Sequence, residues 1–179
     1  MKKFFILFAC LVFVVIYILC TYVIIYKYRE ERKRNQYRTQ VTYLATRIYT
    51  ASHIRCNIDG VMSLKLADLF LQVSKQTHTS ARLLAAMSAR ESCYTQEARG
   101  QAQEIGLMQI KKSTARLYGY DPSLLHYPYW NITIAANILA KELKQHSLEE
   151  TLRIYNQGSS TNLGSPYSKN ILVSYMELQ

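Results

Sequence analysis

The sequence has few of the residues that build metal sites, disulfide-rich scaffolds and flexible linkers. Its 179 residues include four histidines, four cysteines, three prolines and six glycines. The histidines are scattered along the chain without the spacing of metal ligands, so we expect no metal site and no cofactor. Internal repeats and low-complexity linkers are missing too, and the length leaves room for one domain and one extra segment.

Convincing alternation of apolar and polar residues, the pattern of a half-buried strand, is also missing. The apolar residues instead recur at helical spacing in short runs joined by polar turns. The sequence therefore predicts an all-α protein, with a small β-hairpin between Ala98 and Ile105 as the one place where strands could form.

Acidic residues are outnumbered, with 12 Asp and Glu against 22 Lys and Arg. Residues 1–76 hold twelve basic and four acidic residues, whereas residues 77–179 hold ten and eight. The excess of positive charge therefore lies in the first part of the chain, where it is typical of a solvated helix that touches lipid phosphates. No nucleic-acid-binding motif accompanies it, so we expect no nucleic-acid partner.

The run from Phe4 to Tyr26 contains no charged residue. About 20 apolar residues span a bilayer as a helix, whereas the apolar part of a signal peptide is about 7–15 residues long. The sequence therefore predicts a single transmembrane anchor in residues 1–27. A basic juxtamembrane helical segment follows in residues 28–60, and a helical domain in residues 61–179.

The charges beside this anchor conflict with export of the domain. Only Lys2, Lys3 and the amino terminus precede the anchor, whereas six basic residues follow it, namely Lys27, Arg29, Arg32, Lys33, Arg34 and Arg38. The positive-inside tendency would leave the C-terminal domain in the cytoplasm.

One glutamate ends an otherwise apolar helix face. Leu84, Met87 and Glu91 follow one another at i, i+3 and i+7, so they share one side of a helix. Burial raises the pKa of a carboxylic acid, and an acid that stays protonated near neutral pH can protonate a leaving group. The alternative is an ordinary glutamate on a helix surface.

Four motifs occur in order along the chain. They are Glu91-Ser92, the GLMQI run at residues 106–110, the Tyr-Asn-Gln-Gly run at residues 155–158, and a Tyr followed by a short apolar helix at residues 167–175. Together they resemble the signature of the lysozyme-like lytic transglycosylases. The resemblance covers roughly residues 68–178 and implies a lysozyme-like fold behind the anchor.

The resemblance implies an enzyme that cleaves peptidoglycan between N-acetylmuramic acid and N-acetylglucosamine. Glu91 would serve as the single general acid and base, and the products would end in 1,6-anhydro-muramic acid. In its small size the protein resembles family members that open the cell wall locally for secretion, conjugation or pilus machines. The alternatives are a goose-type lysozyme-like hydrolase and a catalytically silent peptidoglycan-binding scaffold.

The resemblance also implies a set of substrate-binding residues: Ser92, Met108, Gln109, Tyr155, Asn156 and Tyr167. Ser92 would brace the loop, and Tyr155 would hydrogen-bond Glu91. Core packing is the alternative for Met108 and for Tyr155, and Asn156 fits a turn better than a sugar contact.

Two residues depart from the family pattern. Gly100 replaces a usual serine and Gln103 a usual glycine, so a loop of different shape is expected.

The implied peptidoglycan substrate would place the domain in the periplasm, in a single-pass inner-membrane protein, although the positive-inside tendency favours the cytoplasm. Export would permit a disulfide between Cys56 and Cys93, with two free buried thiols as the alternative.

Overall fold

The computed structural model describes residues 2–157 and 166–178, with side chains described from Phe13 onward. Within these residues the chain is helical and forms no strand, so the prediction of an all-α protein is confirmed. The helices are α1 (Lys2–Cys56), α2 (Gly60–Thr77), α3 (Ala81–Ser92), α4 (Lys112–Leu117), α5 (Pro128–Glu142), α6 (Leu148–Gln157) and α7 (Pro166–Glu177), with a 3-10 helix at Pro122–His126.

Residues 41–179 form a compact unit of their own, which begins earlier than the boundary predicted at residue 61. The last turns of α1 belong to this unit because Leu44, Ala45 and Ile48 are buried in its core. These residues lie at i, i+1 and i+4, on one face of the helix. The helix ends at Cys56 because Asn57 takes a left-handed conformation, with a φ of 50°.

The other unit ends at Gln40 and is a single helix. Large apolar side chains between Phe13 and Tyr28 are exposed along it. Among the side chains that the structure describes, no helix is long and apolar enough to cross a membrane. The predicted anchor begins at Phe4 and lies partly outside those residues, so membrane anchoring stays a prediction.

Helix α3 lies in the centre of the compact unit. Ser80 caps its N-terminus by accepting a hydrogen bond from the Leu83 backbone N–H at 3.4 Å. Its residues from Leu83 to Ala89 are all buried, and it packs against α2 and α7. The apolar face therefore leads without interruption to the last turn, where Glu91 lies.

The loop after α3 returns tightly on itself without forming a regular hairpin. Arg99 pairs with Ile105 and Ile105 with Ile110, each in a single antiparallel bridge. The hairpin predicted between Ala98 and Ile105 is thus reduced to isolated bridges in the described residues. The fold around them keeps residues 105–108 buried, which fixes the position of the loop.

A disulfide joins the ends of two helices in the compact unit. Cys56 is the last residue of α1, and Cys93 directly follows α3, with their Cα atoms 5.0 Å apart. The bridge therefore fastens the end of α3, two residues after Glu91, to the end of α1.

Candidate active site

Glu91 is partly buried in the last turn of α3, where the Tyr167 hydroxyl donates a hydrogen bond to its Oε1. Burial raises the pKa of Glu91 to about 7, against the lowering effect of the Tyr167 hydrogen bond. The negative charge of Glu104 raises this pKa further, and the positive charge of Arg90 lowers it. Near neutral pH both forms of Glu91 are populated, so the group can donate and accept a proton.

Ser92 joins the catalytic-looking helix to the loop that follows it. Its hydroxyl lies 2.9 Å from the Leu107 carbonyl oxygen and 3.3 Å from that of Ser88. The contact with Leu107 holds the loop beside the last turn of α3. This is the bracing position that the family resemblance implies for Ser92.

Asn131 is a residue of the site that the sequence reasoning missed. Its amide Nδ2 donates to the carbonyls of Ile105 and Leu125, at 2.9 and 3.0 Å, and its Oδ1 accepts from the Met108 N–H at 2.8 Å. Helix α5 begins at Pro128, so Asn131 lies within its first turn. An asparagine within a strongly apolar helix was the available signal, because a buried amide needs partners.

Asn131 leaves no room for a side chain at position 106, which explains the glycine of the GLMQ run. Its backbone has a φ of +78°, and a Cβ added there would lie 2.7 Å from Asn131 Nδ2. A side chain at this position would strain the backbone and displace the amide that holds the loop.

Met108 and Gln109 take different positions in the site. The Met108 side chain is fully buried, which matches core packing and makes its predicted sugar contact wrong. Gln109 is partly exposed, with a left-handed φ of 45°, and its Nε2 donates to the Gly106 carbonyl at 2.9 Å. Gln109 can therefore still present its amide to a ligand.

The two tyrosines of the site differ from the roles that the sequence suggests. Tyr155 donates to the Met108 carbonyl at 2.8 Å, so the predicted hydrogen bond from Tyr155 to Glu91 is wrong and Tyr167 makes it instead. Burial, and next the charge of Glu91, raise the pKa of both tyrosines, which keeps both hydroxyls protonated as donors. Asn156 is exposed at the end of α6.

The remaining parts of the motifs carry less information. Gly158 of the Tyr-Asn-Gln-Gly run lies outside the residues that the structure describes.

Within the described residues, no three His, Cys, Asp or Glu side chains are grouped so that they could hold a metal ion. The carboxylates near His146 come from Glu142 and Glu150, at 3.9 and 3.4 Å, and belong to a different part of the fold.

The model of the transglycosylase SLT domain family matches residues 68–170, a range that contains Glu91, the GLMQ loop and both tyrosines. The chain belongs to this family. The resemblance read from the motifs is therefore confirmed. The X-ray structure of an inactive mutant of the lytic transglycosylase Slt from Pseudomonas aeruginosa is similar, with a TM-score of 0.43 and 18% identity.

That comparison covers 62% of this chain and 21% of the Pseudomonas chain, so the protein spans about a fifth of the length of Slt. None of the curated proteins compared with the sequence matches it. Family membership thus rests on the SLT match and on the motifs it contains.

The pKa of Glu91 predicts how the stability of the protein depends on pH. A folded-state pKa near 7, above the ordinary value of 4.5, means that the folded protein binds the proton more tightly. The contribution of Glu91 to the free energy of unfolding therefore falls as the pH rises from about 4.5 to about 7. Glu91→Gln removes the ionisation, so we expect the variant to be more stable than wild type at pH 8, by about 1–3 kcal/mol.

Urea unfolding of both proteins at pH 4.5 and pH 8 measures this effect. Glu97→Gln, which neutralises an exposed carboxylate of the following loop, is the matched control and should show no such pH-dependent gain. A Glu91→Gln variant with the same relative stability at both pH values would contradict the raised pKa.

The hydrogen bond from Tyr167 predicts a second difference, between two tyrosine variants. Tyr167→Phe removes the donor that favours the carboxylate form, so the titration midpoint of Glu91 should rise above about 7. Tyr155→Phe removes a donor to the Met108 carbonyl and should move the midpoint less. Carbon-13 NMR of the Glu91 carboxyl group checks both, and equal shifts would argue against a specific role for Tyr167.

Proposed function

We propose that the protein is a lytic transglycosylase that cleaves the β-1,4 bond between N-acetylmuramic acid and N-acetylglucosamine in peptidoglycan. The observation that carries this proposal is the single carboxyl group of Glu91, with its pKa near 7, at the end of a buried helix within the SLT match. A group of this pKa can serve as acid in one step and as base in the next.

In the first step Glu91 gives its proton to the glycosidic oxygen as the bond from that oxygen to C1 of the muramic acid breaks. In the second step the Glu91 carboxylate takes the proton of the C6 hydroxyl of the same sugar. The C6 oxygen then bonds to C1 and closes a 1,6-anhydro ring. Glu91 recovers its proton and no water is consumed.

The contacts of the site support a role for each neighbouring side chain. Tyr167 stabilises the carboxylate form between the two steps because its hydroxyl donates to Oε1. Gln109 supplies an amide to sugar hydroxyls, and the exposed Asn156 is a weaker candidate for such a contact. Ser92, Tyr155 and the Met108 backbone hold the loop rather than the sugar.

Product analysis on purified peptidoglycan tests the reaction. Wild-type digests should end in 1,6-anhydro-muramic acid, detected by mass spectrometry as fragments one water lighter than hydrolysis products. Glu91→Gln keeps the shape and the acceptor for Tyr167 but cannot exchange a proton, so at least a 10²-fold loss of activity is expected.

Other products would move the protein to another function. Reducing-end fragments would indicate a goose-type hydrolase that uses water. Peptidoglycan binding without cleavage would indicate a scaffold. Undiminished cleavage by Glu91→Gln would place the acid on another residue.

We also propose that the uncharged run from Phe4 to Tyr26 anchors the protein in the bacterial inner membrane, with residues beyond it in the periplasm. The peptidoglycan substrate and the Cys56–Cys93 disulfide support this orientation, because disulfides persist in oxidising compartments. A local role at a secretion, conjugation or pilus machine is consistent with this place, by analogy with the family alone.

Reporter fusions after Gln179 test the orientation. A reporter active only in the periplasm should give signal, and a reporter active only in the cytoplasm should give none. The reverse result would show that the basic residues after the anchor decide the topology, and it would remove the substrate from reach of the domain.

A further inference from the structure

The loop between Arg99 and Ile105 brings residues 100 and 104 face to face. The Gly100 N–H donates to the Glu104 carbonyl at 3.0 Å, and the Gln103 N–H donates to the Gly100 carbonyl at 3.1 Å. These two hydrogen bonds close a tight turn. Side chains at positions 100 and 104 therefore compete for the same space.

The Glu104 side chain occupies this space. A Cβ added to Gly100 would lie 2.2 Å from Glu104 Oε2 and 2.8 Å from Gln109 Oε1. The missing side chain at position 100 is thus what lets the Glu104 carboxylate lie beside Gln109. The departure from the family pattern at position 100 has a direct structural counterpart at position 104.

Two contacts fix the Glu104 carboxylate in place. Its Oε2 accepts a hydrogen bond from the Ala102 N–H at 2.9 Å, and its Oε1 lies 3.5 Å from the Lys111 ammonium. The side chain is only 22% exposed. The two contacts hold the carboxylate in one position within the loop.

We propose that Glu104 is a positioning residue of this site: its carboxylate takes the place of a side chain at position 100, in the loop that Ser92 holds beside the last turn of α3, and acts on Glu91 through its charge. Its catalytic consequence rests on the proposed transglycosylase reaction, whereas its effect on Glu91 does not. Glu104 acts through Glu91 rather than by contact with the sugar.

The groups that face Glu91 from each neighbouring element are consistent with this role. Tyr167 on α7 and Tyr155 on α6 are neutral, and Arg90 on α3 is exposed to solvent. Glu104 is the anion among the groups that act on Glu91, and its charge raises the Glu91 pKa. A negative charge disfavours the ionised form of another carboxyl group, so the fixed Glu104 carboxylate favours the protonated form of Glu91.

The first experiment tests the shared space with a double-mutant cycle on the full chain. Gly100→Ala adds a Cβ that meets first the Glu104 carboxylate and next the Gln109 amide oxygen, so it should lower the melting temperature in wild type. The same change in a Glu104→Ala background should cost less, because the nearest of these contacts is gone. Equal losses in both backgrounds would overturn the matched pair.

The second experiment tests the effect on the proton. Glu104→Gln keeps the shape and the acceptor for Ala102 but removes the charge. Carbon-13 NMR titration of the Glu91 carboxyl should show a midpoint lower by on the order of half a pH unit or more. Glu97→Gln is the control, since Glu97 is an exposed carboxylate of the same loop, and it should leave the midpoint in place.

An unchanged Glu91 midpoint in Glu104→Gln would overturn the proposal, whether or not the protein cleaves peptidoglycan. Where cleavage is measured, the alkaline limb of the pH–rate profile should move to lower pH in Glu104→Gln by the same amount. Because the titration needs no substrate, a failure of the proposed reaction and a failure of this inference give different results.

Discussion

A carboxyl group at the end of a buried helix is the constraint on which the rest of the domain depends. Glu91 continues the face formed by Leu84 and Met87, both fully buried, so its burial follows from the packing of α3. Removing a carboxylate from water is costly, so burial raises the pKa of Glu91 to about 7. The Tyr167 hydrogen bond offsets part of this cost, so neither form is excluded.

The loop that faces Glu91 is held from three directions. Ser92 binds it from the end of α3, Asn131 from the first turn of α5, and Tyr155 from α6. Each contact ends on a backbone group between Ile105 and Met108. The chain thus satisfies the polar groups of a buried loop with side chains, since the single bridges of Ile105 leave most of the backbone outside a sheet.

The sequence predicts the helices and the position of Glu91 on a buried face well, because both follow from local periodicity. The helices and the face that carries Glu91 each depend on residues within two turns of one another. The partner of Glu91 does not. Tyr155 and Tyr167 both follow the motif order, and only the packing of α7 against α3 decides that Tyr167 meets the acid. Asn131 was missed for the same reason, because its partners lie on other segments.

The end of a helix is a demanding place for a group whose position must be fixed, because helix ends fray. Glu91 lies one residue before the end of α3, and two hydrogen bonds and a disulfide hold this end of the helix. The Ser92 hydroxyl binds the loop, Tyr167 binds the carboxyl group, and the Cys93 disulfide binds the end of α1. A disulfide that closes a loop of this size contributes ~2–4 kcal/mol, chiefly through the unfolded chain. Its place directly after α3 means that this stabilisation also acts against local opening of the turn that carries the acid.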